Sequence, residues 1–279
     1  MVMHYAAGQA RVGSDRMHGR ESVPVVILCG GQGTRLREHT EYIPKPLVQI
    51  GEQPILWHIM KHFQRHALTR FVLCLGYKGE KIKSFVLDYG AMSRDFTVTL
   101  GRPETLAFHR SLDEELEITV ADTGVDSMTG ARVKRVERYL PDGPFMVTYG
   151  DGVSDVDLNS LLAFHRAHGR LATVTAVHPE SRFGVIEADN TGRALRFREK
   201  PRIDGLVNAG FFVFNRPVLD YLSSDPACVL EQQPLEHLAR DGELMVYRHD
   251  GFFHTLDTYC DYLALNALWS EGKAPWRTW

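Results

Sequence analysis

The segment VVILCGGQGTRLREHTEYIPKP, from Val25 to Pro46, constrains the fold more than any other part of the chain. Val23–Cys29 reads as a buried strand, because its apolar run is unbroken from Val25 onward. The run stops at Gly30, Gly31 and Gly33. A strand that ends in a glycine loop presents bare backbone N–H groups, a general plan for seating phosphates. Two familiar versions of that plan fail here. A Walker loop needs Gly-Lys-Ser/Thr five residues after its first glycine, and Gly30 leads instead to Arg35 and Leu36. A dinucleotide fingerprint needs a third glycine where Leu36 stands. A plain tight turn accounts for one or two glycines, but not for Arg35 and Lys45 as well.

Arg35 supplies a planar fork suited to phosphate oxygens. Lys45 lies between Pro44 and Pro46, which hold the chain extended, so its charge is positioned and not floppy. Two fixed cations beside a glycine cradle suggest a polyphosphate. Asp151 follows the apolar strand pattern Phe145–Gly150, at the strand end where open α/β sheets bind ligands. Next to a phosphate site it is a natural Mg²⁺ ligand, although an Asp-Gly turn would also explain it. Asp257, among apolar neighbours in FFHTLDT, is a second metal candidate, with a helix N-cap as the alternative. Glu199 and Lys200 in FREKP, taken alone, read as a surface charge run. Asn208 in VNAGFF either bonds a polyhydroxy ligand or caps a strand. Asp155 and Asp157 form a D-x-D pair of the kind a glycosyltransferase uses. That reading leaves GGQGTRL and Lys45 without a role, and Asp157 is better explained as a helix cap.

Helix and strand patterns alternate along the chain. Pro54–His66, Glu80–Tyr89, Arg132–Leu140 and Asp157–His168 read as helices; Phe71–Gly76, Asp95–Leu100, Phe145–Gly150 and Ala172–Val177 read as strands. This argues for an α/β fold with a mostly parallel mixed sheet flanked by helices. The later part is β-rich. DNTG marks a hairpin between Gly184–Ala188 and Ala194–Glu199, Asn208–Asn215 reads as one continuous strand, and Thr258–Glu271 as a closing helix. Residues 23–279 read as a single domain behind a loose polar leader, 1–22. No apolar run approaches the ~18 residues of a membrane span. A net charge of −3 gives no support to a nucleic-acid surface. The four cysteines share no metal-ligand spacing, and Cys29 and Cys74 sit in apolar strands, so a reducing cytoplasm without structural disulfides is expected. His58, His62 and His66 fall on one helix face and read as a solvent-side stripe beside Ile55, Ile59 and Phe63, since no carboxylate or cysteine joins them.

In this order, CGGQGTRL…PKP, TYGDG, EKP and NAGFF resemble the sugar-1-phosphate nucleotidylyltransferases, and SMTG with APWRTW resembles their cytidylyl branch. The resemblance covers Val25 to Trp279. It implies a Rossmann-like nucleotidyltransferase fold with an acceptor-binding β-rich half. It implies transfer of a cytidylyl group from CTP to a sugar 1-phosphate, with glucose 1-phosphate the expected acceptor. Another nucleoside triphosphate or hexose 1-phosphate is the alternative, and a non-catalytic module of the same fold a remoter one. The resemblance places the nucleotide at Leu28, Gly30, Gly31, Gly33, Thr34, Arg35, Lys45, Ser127, Arg132 and Gly150. It places Mg²⁺ on Asp151 and Asp257, and the sugar phosphate at Gly184, Glu199, Lys200 and Asn208. Arg35, Lys45, Asp151 and Lys200 would carry the chemistry. A cytoplasmic homo-oligomer without nucleic-acid or membrane partners is the accompanying expectation. The chain departs from the family at Ala131 and Ala209, where glycine is usual. It departs again at Phe253-His254-Thr255-Leu256, where Trp-Gln-Pro-Met is usual, which suggests a looser choice of acceptor.

Overall fold

Eight strands form the main sheet of the computed structural model: β1 (Val25–Cys29), β2 (Arg70–Leu75), β3 (Glu117–Asp122), β4 (Phe145–Tyr149), β5 (Ala172–Val177), β6 (Val207–Asn208), β7 (Phe212–Phe214) and β8 (Leu244–Arg248). Described are residues 23–36, 40–111, 115–179, 181, 183–199, 201–202 and 204–279, with only the backbone at 103 and 104. The leader expected at 1–22 and the candidate Lys200 lie outside them. Strand order is β6-β5-β7-β4-β1-β2-β3, with β8 alongside β5. The pairs β4–β1, β1–β2, β2–β3 and β5–β8 are parallel. The pairs of β7 with β4 and β5, and of β6 with β5, are antiparallel. The expected mixed, mostly parallel sheet is therefore observed.

β1 is buried at all five positions because it feeds two cores. Its alternating side chains send Val25, Ile27 and Cys29 to one face and Val26 and Leu28 to the other. Among the described residues, six helices flank the sheet: α1 (Ile55–Arg65), α2 (Gly79–Met92), α3 (Thr129–Arg135), α4 (Leu158–His168), α5 (Gln233–Arg240) and α6 (Tyr259–Ser270). From β1 the chain steps outward to β2 and β3, then returns to the opposite side of β1 as β4. The loops that follow β1 and β4 diverge there, which opens a crevice at the carboxyl ends of the strands.

One helix, α4, starts at the cap expected for it. Asp157 caps α4, its Oδ1 accepting the N–H groups of Asn159 and Ser160 at 2.9 and 3.0 Å, and Gly169 stops it in a left-handed conformation. Other expectations are corrected. The helix expected at Arg132–Leu140 instead spans Thr129–Arg135, followed by a 3₁₀ turn at Glu137–Tyr139. The strand expected at Asn208–Asn215 breaks at Ala209–Phe211, where Gly210 and Phe211 have φ of 75° and 46°. The break lets β6 pair with β5 alone while β7 pairs with both β5 and β4. The histidine stripe is not on the solvent side. His58 and His62 are buried and His66 half-buried: the carboxy-terminal segment folds back over His58, and His62 packs against Phe211. His58 Nε2 donates to Ile50 O at 2.8 Å, and its Nδ1 accepts the indole N–H of the buried Trp276 at 3.4 Å. Burial lowers both His58 and His62 to a pKa of about 4, so both are neutral near pH 7.

Candidate active site

A cavity of about 320 Å³ opens in the crevice between the β1 and β4 loops. It brings together Leu28, Gly30, Gly31, Gly33, Thr34, Arg35, Lys45, Ser127, Arg132, Gly150 and Asp151. The glycines there serve different purposes. A Cβ on Gly31 would meet nothing within 4 Å, so its bare backbone faces open space where a ligand can approach. A Cβ on Gly30 would stand 2.1 Å from the Arg132 guanidinium. Gly33 has φ of 62°, and a Cβ there would reach Thr40 at 2.8 Å. At Gly150 a Cβ would lie 2.9 Å from Leu28 O, so this glycine permits the ends of β1 and β4 to approach.

Arg132 lines the cavity but is occupied by the protein itself. Its Nη1 donates to Leu75 O, Thr123 Oγ1 and Gly124 O, each at 2.8 Å, and Nη2 donates to Gly30 O at 3.1 Å and Val125 O at 3.2 Å. The guanidinium thus ties the loops after β1, β2 and β3 together. Ser127 is also engaged: its hydroxyl donates to Thr123 O at 2.6 Å and accepts from Arg135 Nη1 at 2.7 Å.

The charged centre forms around Lys45. Pro44, extended at φ −68° and ψ 148°, leads into a 3₁₀ turn that begins at Lys45. Asp151 follows β4. Asp257 follows the strand Phe253–Thr255, which pairs with Gly152–Ser154 so that Thr255 lies opposite Gly152. Leu256 N–H donates to Asp151 O at 2.8 Å and completes this register, which sets the two aspartates side by side. Lys45 Nζ lies 2.6 Å from Asp151 Oδ2 and 2.7 Å from Asp257 Oδ1, and Arg35 reaches Asp257 at 3.0 Å. Burial alone would lower the Lys45 ammonium, but the Asp151 charge and the hydrogen bonds to both aspartates outweigh it and raise the pKa above its ordinary 10.5. Burial likewise opposes the Asp257 carboxylate, but the Lys45 hydrogen bond and charge, with Arg35, hold it below the ordinary 3.8. Asp257 is not the N-cap of α6. Thr258 takes that place in a capping box with Asp261. Asp155 and Asp157 do not share a site: Asp155 pairs with His249 at 2.9 Å and accepts Phe252 N–H at 2.7 Å, while Asp157 caps α4.

On the acceptor side the residues are more dispersed. Gly184 and Glu199 flank the exposed hairpin Val185–Ala188/Ala194–Arg198, where a Cβ on Gly184 would stand 3.0 Å from Glu199 Oε2. Neither lines the cavity. Asn208 connects to its wall through Tyr149, donating from Nδ2 to the phenol oxygen at 3.1 Å. The run from Phe252 to Leu256 turns toward the core: Leu256 is fully buried, Phe253 packs on the core cluster and Phe252 stacks on Trp276. His254 Nε2 meets Asp261 at 3.2 Å. The structure therefore gives the looser acceptor pocket no support from these positions. Thr129 and Tyr149 also line the cavity and were missed in the sequence. The TYGDG stretch held the signal for Tyr149, which ends β4 beside Asp151.

A family model described as nucleotidyl transferase matches residues 24–239. The glucose-1-phosphate cytidylyltransferases of Salmonella typhimurium strain LT2 and Salmonella typhi are each 46% identical over 256 residues, which cover 91% of this chain and 98% of theirs. The structure of UDP-glucose pyrophosphorylase complexed with UDP-glucose is similar in fold, with a TM-score of 0.64 at 14% identity over 90% of this chain and 99% of that one. On the family match and on this level of identity across nearly the whole length, the chain belongs to the nucleotidyl transferase family.

Proposed function

We propose that this enzyme transfers a cytidylyl group from CTP to a sugar 1-phosphate, with glucose 1-phosphate as its acceptor. The observation that carries the reading is the convergence of Asp151 and Asp257 on one cation, 2.6 and 2.7 Å from Lys45 Nζ, beside the bare backbone at Gly31. Two carboxylate oxygens aimed at one point fit a hard divalent ion such as Mg²⁺, which takes one or two carboxylates and completes its shell with phosphate oxygens and water. Bound there, Mg²⁺ would offset negative charge on the α-phosphate and on the leaving pyrophosphate. The relatives at 46% identity support cytidylyl transfer and glucose 1-phosphate.

A phosphate oxygen of the sugar attacks the α-phosphorus of CTP in line. The bond from that phosphorus to the bridging oxygen breaks, giving a CDP-sugar and pyrophosphate. No protein nucleophile takes part, so the residues act by positioning and charge. Gly31 admits the triphosphate to the loop. Arg35, whose side chain is 67% exposed at the rim, turns its fork to phosphate oxygens. Lys45, released from the aspartates, places its ammonium on the reacting phosphates. Lys200 offsets the charge of the incoming sugar phosphate. The same reading places the enzyme in the cytoplasm as a homo-oligomer. Pyrophosphate release, measured over four nucleoside triphosphates crossed with a panel of sugar 1-phosphates, tests the proposal. The highest kcat/KM for CTP with glucose 1-phosphate is expected, and a higher value for any other pair overturns the assignment.

A further inference from the structure

Glu231 lies in the loop before α5, and the reaction drawn above gives it no part. Its carboxylate nevertheless receives two hydroxyl groups from the cavity wall. Thr129 Oγ1 donates to Oε2 at 2.6 Å, and the Tyr149 hydroxyl donates to Oε1 through a short hydrogen bond. Tyr149 O in turn accepts from Asn208 Nδ2 at 3.1 Å, and Asn208 Oδ1 accepts the Gly210 N–H at 2.8 Å. A carboxylate only accepts, so every proton along this chain has a fixed direction. The Tyr149 proton points to Glu231, its oxygen is left to accept, and Asn208 must offer N–H to it. The Gly210 N–H fixes the other end of the same amide. The second hydrogen on Asn208 Nδ2 belongs to an exposed side chain and is left for a ligand.

We propose that Glu231 is a positioning residue for the acceptor: acting through Tyr149, it holds the Asn208 amide so that the site presents a hydrogen-bond donor to an oxygen of the sugar phosphate. The proposal rests on the reading above, in which Asn208 faces that substrate. Glu231→Gln preserves size but adds an N–H donor, which lets Tyr149 turn its proton toward Asn208 and reverses the relay. Steady-state kinetics with CTP and glucose 1-phosphate, on wild type, Glu231→Gln, Tyr149→Phe, Asn208→Ala and the Glu231→Gln/Asn208→Ala double variant, test it. Glu231→Gln and Tyr149→Phe should each raise the acceptor KM about five- to tenfold, the loss of one hydrogen bond, with the CTP KM within about twofold of wild type. The double variant should be no worse than Asn208→Ala alone. A lowered melting temperature with the acceptor KM unchanged in both Glu231→Gln and Tyr149→Phe, or additive effects in the double variant, overturns the relay. An unchanged acceptor KM in Asn208→Ala instead overturns the underlying placement of Asn208. Absence of pyrophosphate release by the wild type removes the functional reading itself.

Discussion

Replacing Gly30 with alanine should destabilise the fold through Arg132, before any nucleotide is involved. The new Cβ would stand 2.1 Å from both Cζ and Nη1 of Arg132 and 2.6 Å from Nε, so the guanidinium has to withdraw. A long side chain usually moves cheaply, but this one is only 4% exposed and donates five hydrogen bonds to the loops around it. Hydrogen bonds to a charged group contribute about 1.5–3 kcal/mol each, so losing two of them costs about 3–6 kcal/mol. That is a large share of the roughly 5–15 kcal/mol by which a folded domain is stable. It corresponds to a fall in Tm of about 6–24 °C, at roughly 2–4 °C per kcal/mol for a chain near this size. Urea and thermal unfolding without ligand, followed by circular dichroism, would measure the loss. Gly31→Ala is the control. Nothing lies within 4 Å of its added Cβ, so it should unfold within about 0.5 kcal/mol of wild type while its KM for CTP rises. If Gly30→Ala unfolded with the wild type, the reasoning would be wrong. It would also be wrong if Gly30→Ala cost as much in an Arg132→Met background, where the clashing group is gone.

Asp151→Asn should lower kcat by at least about 100-fold with the fold intact, because a metal ligand supplies several kcal/mol of transition-state charge stabilisation; kcat within a few-fold of wild type at saturating Mg²⁺ would refute its role. Chelation with EDTA should abolish pyrophosphate release and added Mg²⁺ restore it, whereas undiminished turnover in EDTA would count against the paired aspartates as a metal site. Lys45→Met should destabilise the fold in a pH-dependent way. Asp257 is held below its ordinary 3.8, so its contribution is present above that pH and is lost as pH falls through the folded-state value. Lys45 is raised above 10.5, so its contribution is present below that pH and is lost as pH rises through the folded-state value. The stability difference between wild type and Lys45→Met should therefore be level from about pH 5 to 9 and shrink in acid; a difference that widens below pH 4 would contradict the ion-pair assignment. Phe253→Trp should leave the preference among glucose, galactose and mannose 1-phosphates unchanged, since Phe253 packs on the core; a shift in their relative kcat/KM would place it at the sugar.

The features legible in the order of residues are local in origin. The apolar run before Gly30, the alternation of strand and helix patterns and the Asp157 cap each depend on residues a few positions apart, where backbone propensity and side-chain periodicity act. The position of Asp151 at a strand end was legible for the same reason. Why particular residues stand where they do depends on contacts made only in the folded chain. Gly30 is bare because of Arg132, 102 residues later. Lys45 is clamped by carboxylates 106 and 212 residues away. His58 is buried against Trp276, 218 residues later, and His62 against Phe211, which no periodicity within the helix reveals. The strand expected at Asn208–Asn215 breaks at Gly210 and Phe211, whose positive φ interrupts the pairing with β5 that both of its ends keep. Glu231 carried no signal at all, because its meaning lies in two hydroxyl protons from Thr129 and Tyr149. Chain topology brings such groups together, and hydrogen bonds and charge then act over a few ångströms regardless of separation along the sequence.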